Sequence, residues 1–369
     1  MNLVKASRET LLKPLQAVSG IIERRHTLPI LSNVLIHRTG KRLAFVATDI
    51  EVEISAESES EAQGDATGVT VGARKLLDIL RALPDQSEIT LSLADRRLQA
   101  KSGKSKFQLQ TLPPEDFPRL AAPEGAAVSF ELPQTALKRL LALVQYAMAQ
   151  QDIRYYLNGM LVVVDSAELR VVATDGHRLA LVTRPIGATE VGHREVILPR
   201  KTIMELSKLL SDAETPVMVE LFPSQARFRF DGVVLTSKLV DGKFPDYQRV
   251  IPAAHSKRVR VNRQALAQAL QRAAILTSDK FRGVRWVLSE NNLRITCNNA
   301  EQEEAQEELE LQYQGEALDI GFNVQYLLDV LTNLDADEID IDLGDANSSA
   351  VVTVVDRTDF KYVVMPMRI

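Results

Sequence analysis

Val46-Ala47-Thr48-Asp49 returns unchanged as Val172-Ala173-Thr174-Asp175, with Asp175 standing 126 residues beyond Asp49. Around this string, Ala73-Arg74-Lys75-Leu76-Leu77 recurs at the same offset as Pro199-Arg200-Lys201-Thr202-Ile203. Phe117-Pro118 recurs as Phe244-Pro245 at an offset of 127. Three landmarks in one order at nearly one spacing mark an internal repeat. A weaker third copy follows, with Ile295-Thr296-Cys297-Asn298-Asn299 in the place of the Ala-Thr-Asp strings, 124 residues beyond the second. A chain of 369 residues holds three copies of 123, so residues 1–121, 122–252 and 253–369 read as three domains.

Each copy has the same internal pattern. An amphipathic helix opens it: Leu11, Leu12, Leu15, Val18, Ile21 and Ile22 in the first, Leu137, Leu140, Leu141 and Val144 in the second, Leu266, Leu270, Ala273 and Ala274 in the third. Paired short strands follow, Asn33–Arg38 with Arg42–Ala47, Gly159–Val164 with Leu169–Ala173, and Val284–Ser289 with Asn292–Thr296. A second helix comes next, Asn323 to Leu334 supplying it in the third copy, and then more strands, such as Glu88–Leu93, Val217–Phe222 and Glu338–Leu343. The fold class is α+β, three tandem units of two helices and antiparallel strands. The joints 121–126 and 252–257 are short, which predicts copies set side by side.

Composition narrows the function. Hydrophobic residues at 45% and charged residues at 25% are ordinary for a globular chain. A lone cysteine, Cys297, excludes a disulfide framework and reads as a small buried strand residue. No apolar run reaches the about 18 residues of a membrane span. Met1 to Val18 mixes charges with apolar residues, unlike a signal peptide, so a cytoplasmic protein is expected. The five histidines never stand at metal-ligand spacing, and neither phosphate-binding glycine loop nor nucleophile elbow is present; no metal and no cofactor are expected.

The formal net charge of −5 averages two unlike regions. Lys13, Arg24, Arg25, Arg74, Lys75 and Arg81 lie on or beside the helices of the first copy, Lys138, Arg139, Arg200, Lys201 and Lys208 in the second, and Arg263 and Arg272 in the third. Acid gathers in the strands of the third copy, with six Glu in Glu301–Glu310 and a further cluster over 335–345. These are either solvated faces or a basic helical face, drawn to phosphates, opposed to an acidic strand face. Gln150 to Tyr156 is a polar and aromatic loop, suited to packing on a neighbour or to touching a nucleic-acid backbone or base. Asp175 and His177 are the one candidate acid/base pair for an enzyme. The other copies lack the histidine, so a structural turn is the competing reading.

Thr174-Asp175-Gly176-His177-Arg178-Leu179-Ala180 and the end Tyr362-Val363-Val364-Met365-Pro366-Met367-Arg368-Ile369 carry a resemblance. So do Thr27 to Leu31, Arg154 to Met160, Ser237 to Tyr247, Phe281 to Arg285 and Gly321 to Val324. Over its whole length the chain resembles the bacterial DNA polymerase III β subunit family, the sliding clamps. The resemblance implies a head-to-tail homodimer, six domains closed around duplex DNA, which tethers the replicative polymerase and does no chemistry itself. Twelve helices at about 10 Å spacing would give a mean diameter of about 38 Å and a hole of about 28 Å. It implies DNA contacts at Arg25, Arg74, Gln151, Tyr155 and Tyr156, with Arg200 and Lys201 beside them. It implies a groove for short segments of the polymerase, clamp loader and repair proteins, walled by Arg154, Leu157, Thr174, Gly176, His177, Arg178, Leu179, Pro245, Arg249, Val250, Asn323, Tyr326, Ser349, Val363, Met365, Pro366, Met367 and Arg368. The dimer contact would join Phe107 and Leu109 to Ile275 and Leu276. Asn347 and Ile369 depart from the usual pattern and would tune peptide preference. A hydrolase using Asp175 and His177 and a sequence-specific DNA-binding regulator are the alternatives.

Overall fold

Strand, helix, four strands, helix, three strands: this order occurs three times in the computed structural model of the chain, which describes residues 2–23, 28–59, 66–187, 191–253, 255–278 and 282–369. The first copy runs β1 (Asn2–Ser7), α1 (Arg8–Ser19), β2 (Asn33–Thr39), β3 (Arg42–Thr48), β4 (Val52–Glu59), β5 (Thr67–Gly72), α2 (Ala73–Ala82), β6 (Glu88–Ala94), β7 (Arg97–Ser102) and β8 (Ser105–Leu112). The second runs β9 (Val128–Pro133), α3 (Gln134–Val144), β10 (Gly159–Ser166), β11 (Glu168–Thr174), β12 (Arg178–Pro185), β13 (Val191–Pro199), α4 (Arg200–Leu209), β14 (Pro216–Leu221), β15 (Gln225–Phe230) and β16 (Val233–Lys238). The third runs β17 (Lys257–Asn262), α5 (Arg263–Ala273), β18 (Gly283–Ser289), β19 (Asn292–Asn298), β20 (Glu304–Glu310), β21 (Leu318–Asn323), α6 (Val324–Asn333), β22 (Glu338–Leu343), β23 (Ala350–Val354) and β24 (Phe360–Val364).

Each copy opens on a strand, not on the helix expected from its periodicity. β1 pairs with β6, β9 with β14 and β17 with β22, so each opening strand is held by a partner more than 70 residues away. Six residues with only two or three buried side chains are too short for alternation to outweigh the helical stripe that follows.

The chain packs as two compact units, residues 1–137 with 201–239, and residues 138–200 with 240–369. The first unit holds one antiparallel sheet in the order β1-β6-β7-β8-β5-β2-β3-β4-β16-β15-β14-β9. Its core includes Leu11, Leu15 and Val18 of α1 and Leu76 and Leu80 of α2, all fully buried. The second unit holds the sheet β13-β10-β11-β12-β24-β23-β22-β17 and the smaller sheet β20-β19-β18-β21. Trp286, the only tryptophan, is 2% exposed there, its ring edge-on to Phe322 at 5.3 Å. Cys297 is also buried, and burial raises its thiol pKa. Among the described residues no helix is long and apolar enough to cross a membrane.

The sheets run through the copy boundaries. β4 of the first copy pairs with β16 of the second, Thr236 opposite Glu53. β12 of the second pairs with β24 of the third, Ala180 opposite Tyr362. The third strand after the first helix thus meets the last strand of the following copy, twice.

The first residue of each leading helix ties down the end of the second. Arg8 donates from Nε to the Leu80 carbonyl at 2.6 Å and pairs with Asp85 at 2.5 Å. Arg263 donates to the carbonyls of Ala336 at 2.7 Å and Leu331 at 2.8 Å. Gln134 takes this place in the second copy, accepting the Ser211 amide at 2.9 Å. A guanidinium at a helix C-terminus satisfies orphan carbonyls and the helix dipole. Arg263, read from the sequence as part of a basic face, is therefore a cap. Arg272, read the same way, forms a fork onto the Glu307 carboxylate.

Candidate functional site

The repeated Thr-Asp string makes a turn. In the first copy the Thr48 hydroxyl donates to the Val52 carbonyl, and Asp49 Oδ1 accepts the amides of Glu51 and Val52. In the second, Thr174 donates to the Arg178 carbonyl and Asp175 Oδ1 accepts the amides of His177 and Arg178. Asn299 accepts the amides of Glu301 and Glu303 in the third. Short polar side chains bonding backbone two or three residues on are turn formers. The Asp175 carboxylate is thereby committed to backbone amides and to Arg178, not to His177 as a proton relay.

Beside this turn in the second unit lies a cavity of about 340 Å³. Leu157, Thr174, Leu179, Pro245, Val250, Ser349, Val363 and Met365 line it, with Arg154, Gly176, His177 and Arg178. Asp246 and Tyr247 also line it and were missed in the sequence reading, although they follow directly on Pro245. The signal lay in the string Phe244-Pro245-Asp246-Tyr247; that a 3-10 turn over Tyr247–Val250 folds back over the cavity is a tertiary fact. Tyr247 is anchored from below, its hydroxyl accepting from Arg170 at 3.1 Å. The floor is continuous core: Leu157, Leu161, Val172, Leu179, Phe244, Val351 and Val363 form one buried cluster. A slot of this size, apolar with a few polar groups at its edge, is what a short extended segment needs.

Six expected wall residues do not line the cavity. Arg249 points to solvent and pairs with Asp246 at 2.8 Å. Asn323 caps α6, accepting the Gln325 amide. Tyr326 stacks on the Arg178 guanidinium at 4.4 Å. Pro366, Met367 and Arg368 run past the cavity after Met365, and Asn347 lies in the turn capped by Asp345.

Arg178 ties the turn to α6. Nε pairs with Asp175 at 3.1 Å, Nη1 with Asp329 at 2.5 Å, and Nη2 donates to the Tyr146 carbonyl at 2.6 Å. Burial works against the charged guanidinium, but Tyr362, Asp329 and Asp175 around it raise its pKa above the ordinary arginine value. Burial likewise pushes the phenols of Tyr146 and Tyr362 upward. Arg178→Met would leave two carboxylates facing these rings without a counter-charge. The expected cost is about 3 to 5 kcal/mol, read as a lowered denaturation midpoint; an unchanged midpoint would show the network to be dispensable.

The second turn, which lines the cavity, departs from the first from its third position onward, with Gly176 and Leu179 among the differences. At the shared offset of 126, Ile50 replaces Gly176 and Glu53 replaces Leu179. Gly176 has φ +89°, a left-handed position that glycine takes freely, and Ile50 occupies the same region at φ +70°. Glu53 accepts from the Arg119 guanidinium twice at 2.9 Å and from the Leu120 amide at 3.1 Å, so Arg119 and Leu120 lie over its carboxylate.

The loop before the cavity is built for display. Asp152 accepts from the Arg154 amide and from its guanidinium, and Asn158 braces Asp152 from the other side. This leaves Ile153 96% exposed and Tyr155 56% exposed, with Tyr156 half-buried and edge-on to Tyr155. Gln151 is exposed at φ +56°. The Arg154 contacts lower the Asp152 pKa to about 2. A depressed carboxylate stabilises fully above its unfolded value, 3.8, and loses that contribution as pH falls through about 2. A carboxyl NMR titration should give a midpoint near 2; a midpoint near 4 would mean that the Arg154 contact is absent in solution.

The expected DNA contacts divide. Arg25 lies outside the described residues. Arg74 is exposed on the first turn of α2, as is Lys75. Arg200 donates to the Met148 carbonyl at 3.3 Å. Lys201 is engaged, with Glu23 at 2.7 Å and Asp49 at 2.5 Å, so it braces the first turn rather than standing free. Phe107 and Leu109 are half-buried on β8, Ile275 is 77% exposed, and Leu276 is half-buried beside it. Among the described residues no group of three or more His, Cys, Asp or Glu could hold a metal.

Models of the DNA polymerase III beta subunit match along the chain, the N-terminal domain over residues 2–121, the central domain over 131–246 and the C-terminal domain over 248–368. The beta sliding clamp of Vibrio cholerae is 47% identical over 362 residues, 98% of each chain, and that of Escherichia coli is 46% identical over the same length and coverage. The crystal structure of the Pseudomonas aeruginosa DNA polymerase sliding clamp with ligand superposes with a TM-score of 0.96 at 45% identity, covering 100% of both chains. The Pseudomonas aeruginosa clamp bound to griselimycin superposes with a TM-score of 0.95 at 46% identity over 99% of each.

Proposed function

The chain belongs to the DNA polymerase III beta subunit family, the sliding clamps, and on that premise we propose that two copies close head to tail into a ring around duplex DNA and dock partner segments in the cavity beside Met365. Residues 1–121, 122–252 and 253–369 are the three domains of each half-ring. The protein acts in the cytoplasm as a processivity factor and performs no chemistry of its own.

One observation carries the ring. Two joints of one type, β4 with β16 and β12 with β24, already occur within the chain. A third joint of that type needs β20 and β8, and one chain cannot supply it to itself without closing on three copies. Among the described residues β20 pairs with β19 on one side only, and β8 pairs beyond β7 only at Thr111 and Leu112. Joining them covers sheet edges that would otherwise invite aggregation. The charges suit: Lys104 and Lys106 lie on or beside β8, and Glu304, Glu307, Glu308 and Glu310 on β20. Register within the repeat extends this. Lys201 meets the Asp49 turn, Lys75 is its counterpart one copy earlier, and Glu301 follows Asn299 in the third copy's turn. Lys75 of one chain therefore faces the Glu301 turn of the other.

DNA is held by topology, with Arg74, Gln151, Tyr155 and Tyr156 supplying sequence-independent contacts; Arg25 belongs with them by family resemblance. Weak contacts suit sliding, since phosphates carry no sequence information. In the groove, Leu157, Leu179, Val363 and Met365 offer an adaptable apolar slot, and Arg154, His177 and Asp246 stand at its rim. The griselimycin-bound clamps of the family support a peptide-like occupant, as carried by polymerases, the clamp loader and repair proteins.

Retention on DNA tests the ring. After loading with a clamp loader and ATP, the protein should stay on nicked circles and leave once they are linearised. Equal loss from both forms would exclude topological holding, and a preference among unrelated duplexes would favour a sequence-specific regulator.

A further inference from the structure

The end of the chain lies on a stretch of sheet stripped of side chains. Gly283 of β18 stands opposite Asn323, and Gly321 of β21 opposite Arg285, so the two glycines are diagonal neighbours on one face. The Met367 amide donates to the Gly321 carbonyl at 2.9 Å. A Cβ on Gly321 would stand 2.4 Å from the Met367 carbonyl oxygen and 2.6 Å from Ile369 Cδ1. One on Gly283 would stand 3.2 Å from Ile369 Cγ1 and 3.6 Å from Met367 Sδ. Neither glycine has a positive φ, so the backbone does not call for glycine at either place. Glycine inside a strand costs stability and marks close approach of another segment. Here that segment is the chain's own tail.

The tail is pinned a second time. The Met365 amide donates to the His177 carbonyl in the second copy's turn at 2.9 Å. Pro366, between the two pins, has no N–H to spend and a fixed φ. Met365 is the tail residue that lines the cavity, and Ile369 lies outside it, over the glycines. We propose that Gly283 and Gly321 are positioning residues of the groove: they seat Met367 to Ile369, and the seated tail holds Met365 as the groove wall. Ile369 is the side chain that fills the seat, which gives a place to its departure from the usual family pattern. The seat's effect on ligands rests on the peptide-groove reading above; the seat itself does not.

Gly321→Ala adds one methyl where no room exists. Ile369→Ala removes the occupant and adds nothing, so it keeps the test open if the first variant folds poorly. Three quantities are read in the full-length protein: exchange of the Met367 amide, calorimetric affinity for griselimycin, and the dimer constant by sedimentation. Met367 exchange should quicken in both variants. Griselimycin affinity should fall about tenfold in Gly321→Ala, equivalent to about 1.4 kcal/mol, and less in Ile369→Ala, with the dimer constant unchanged. A Met367 amide as protected as in the wild type would overturn the seat. Lost protection with unchanged affinity would overturn its role in the groove. If the wild-type protein bound no griselimycin, the peptide reading would fail, and the exchange rates alone would decide the seat.

Discussion

Truncation after Val364 is expected to weaken griselimycin and partner-peptide binding severely while leaving the dimer intact. The truncation removes Met365, which lines the cavity, and its hydrogen bond to His177. It leaves β24 whole, since that strand ends at Val364 and is paired on both sides, to β12 and β23. The buried cluster under the groove contains no residue beyond Val363, so the floor persists while one wall is gone. Loss of a wall that excludes water from an apolar slot should weaken binding about 100-fold, roughly 2.7 kcal/mol. Calorimetry measures the loss, and Trp286 emission reports that the third copy stays folded. Sedimentation as a monomer would instead place the tail in the dimer contact.

Leu109→Asp should have the opposite effect, breaking the dimer and sparing the groove. Leu109 is half-buried on β8, opposite Leu98 of β7, on the edge proposed to meet β20 of a second chain. A carboxylate there would be desolvated beside the glutamates of β20. A penalty of about 2 to 4 kcal/mol is expected, raising the dimer dissociation constant about 30- to 900-fold by sedimentation, with retention on circular DNA lost. Griselimycin affinity should hold, because no lining residue of the cavity lies on β8 or β20. A companion pair tests the register: Lys75→Glu weakens the dimer and Glu301→Lys in the same chain restores it, a coupling that a double-mutant cycle isolates. Additive losses would show that these residues do not meet.

The two experiments separate a groove local to one chain from a joint that needs two. That separation has a structural origin. The same strand-to-strand joint is used within the chain and, as proposed, between chains, whereas the cavity is lined by residues that the second turn does not share with the first, Gly176 against Ile50 and Leu179 against Glu53.

Much of the fold was legible because its signals are local. The Thr-Asp turn closes within five residues through its own hydroxyl and carboxylate, so a repeated string is a repeated turn. The helices announce themselves by spacing, and Asn323 to Leu334 is observed as α6 over Val324–Asn333 with Asn323 as its cap. The opening strands were not legible, since their partners lie in β6, β14 and β22. Most of the cavity's residues could be named from family resemblance, but Asp246 and Tyr247 needed the return of a 3-10 turn over the sheet.

The sequence by itself determined the repeat, the turn chemistry and the class of each segment, because these rest on contacts among residues a few positions apart. Only the tertiary structure decided which charges are available to a ligand. Lys201 reads as a free cation until Glu23 and Asp49 stand beside it, Arg263 until the end of α6 does, and Arg272 until β20 brings Glu307. A charge is free or spent according to its neighbours in space, and those neighbours lie 35 to 178 residues away along the chain. The same holds for the seat of the tail: Gly283 and Gly321 look like ordinary glycines until Ile369 arrives to need their missing side chains.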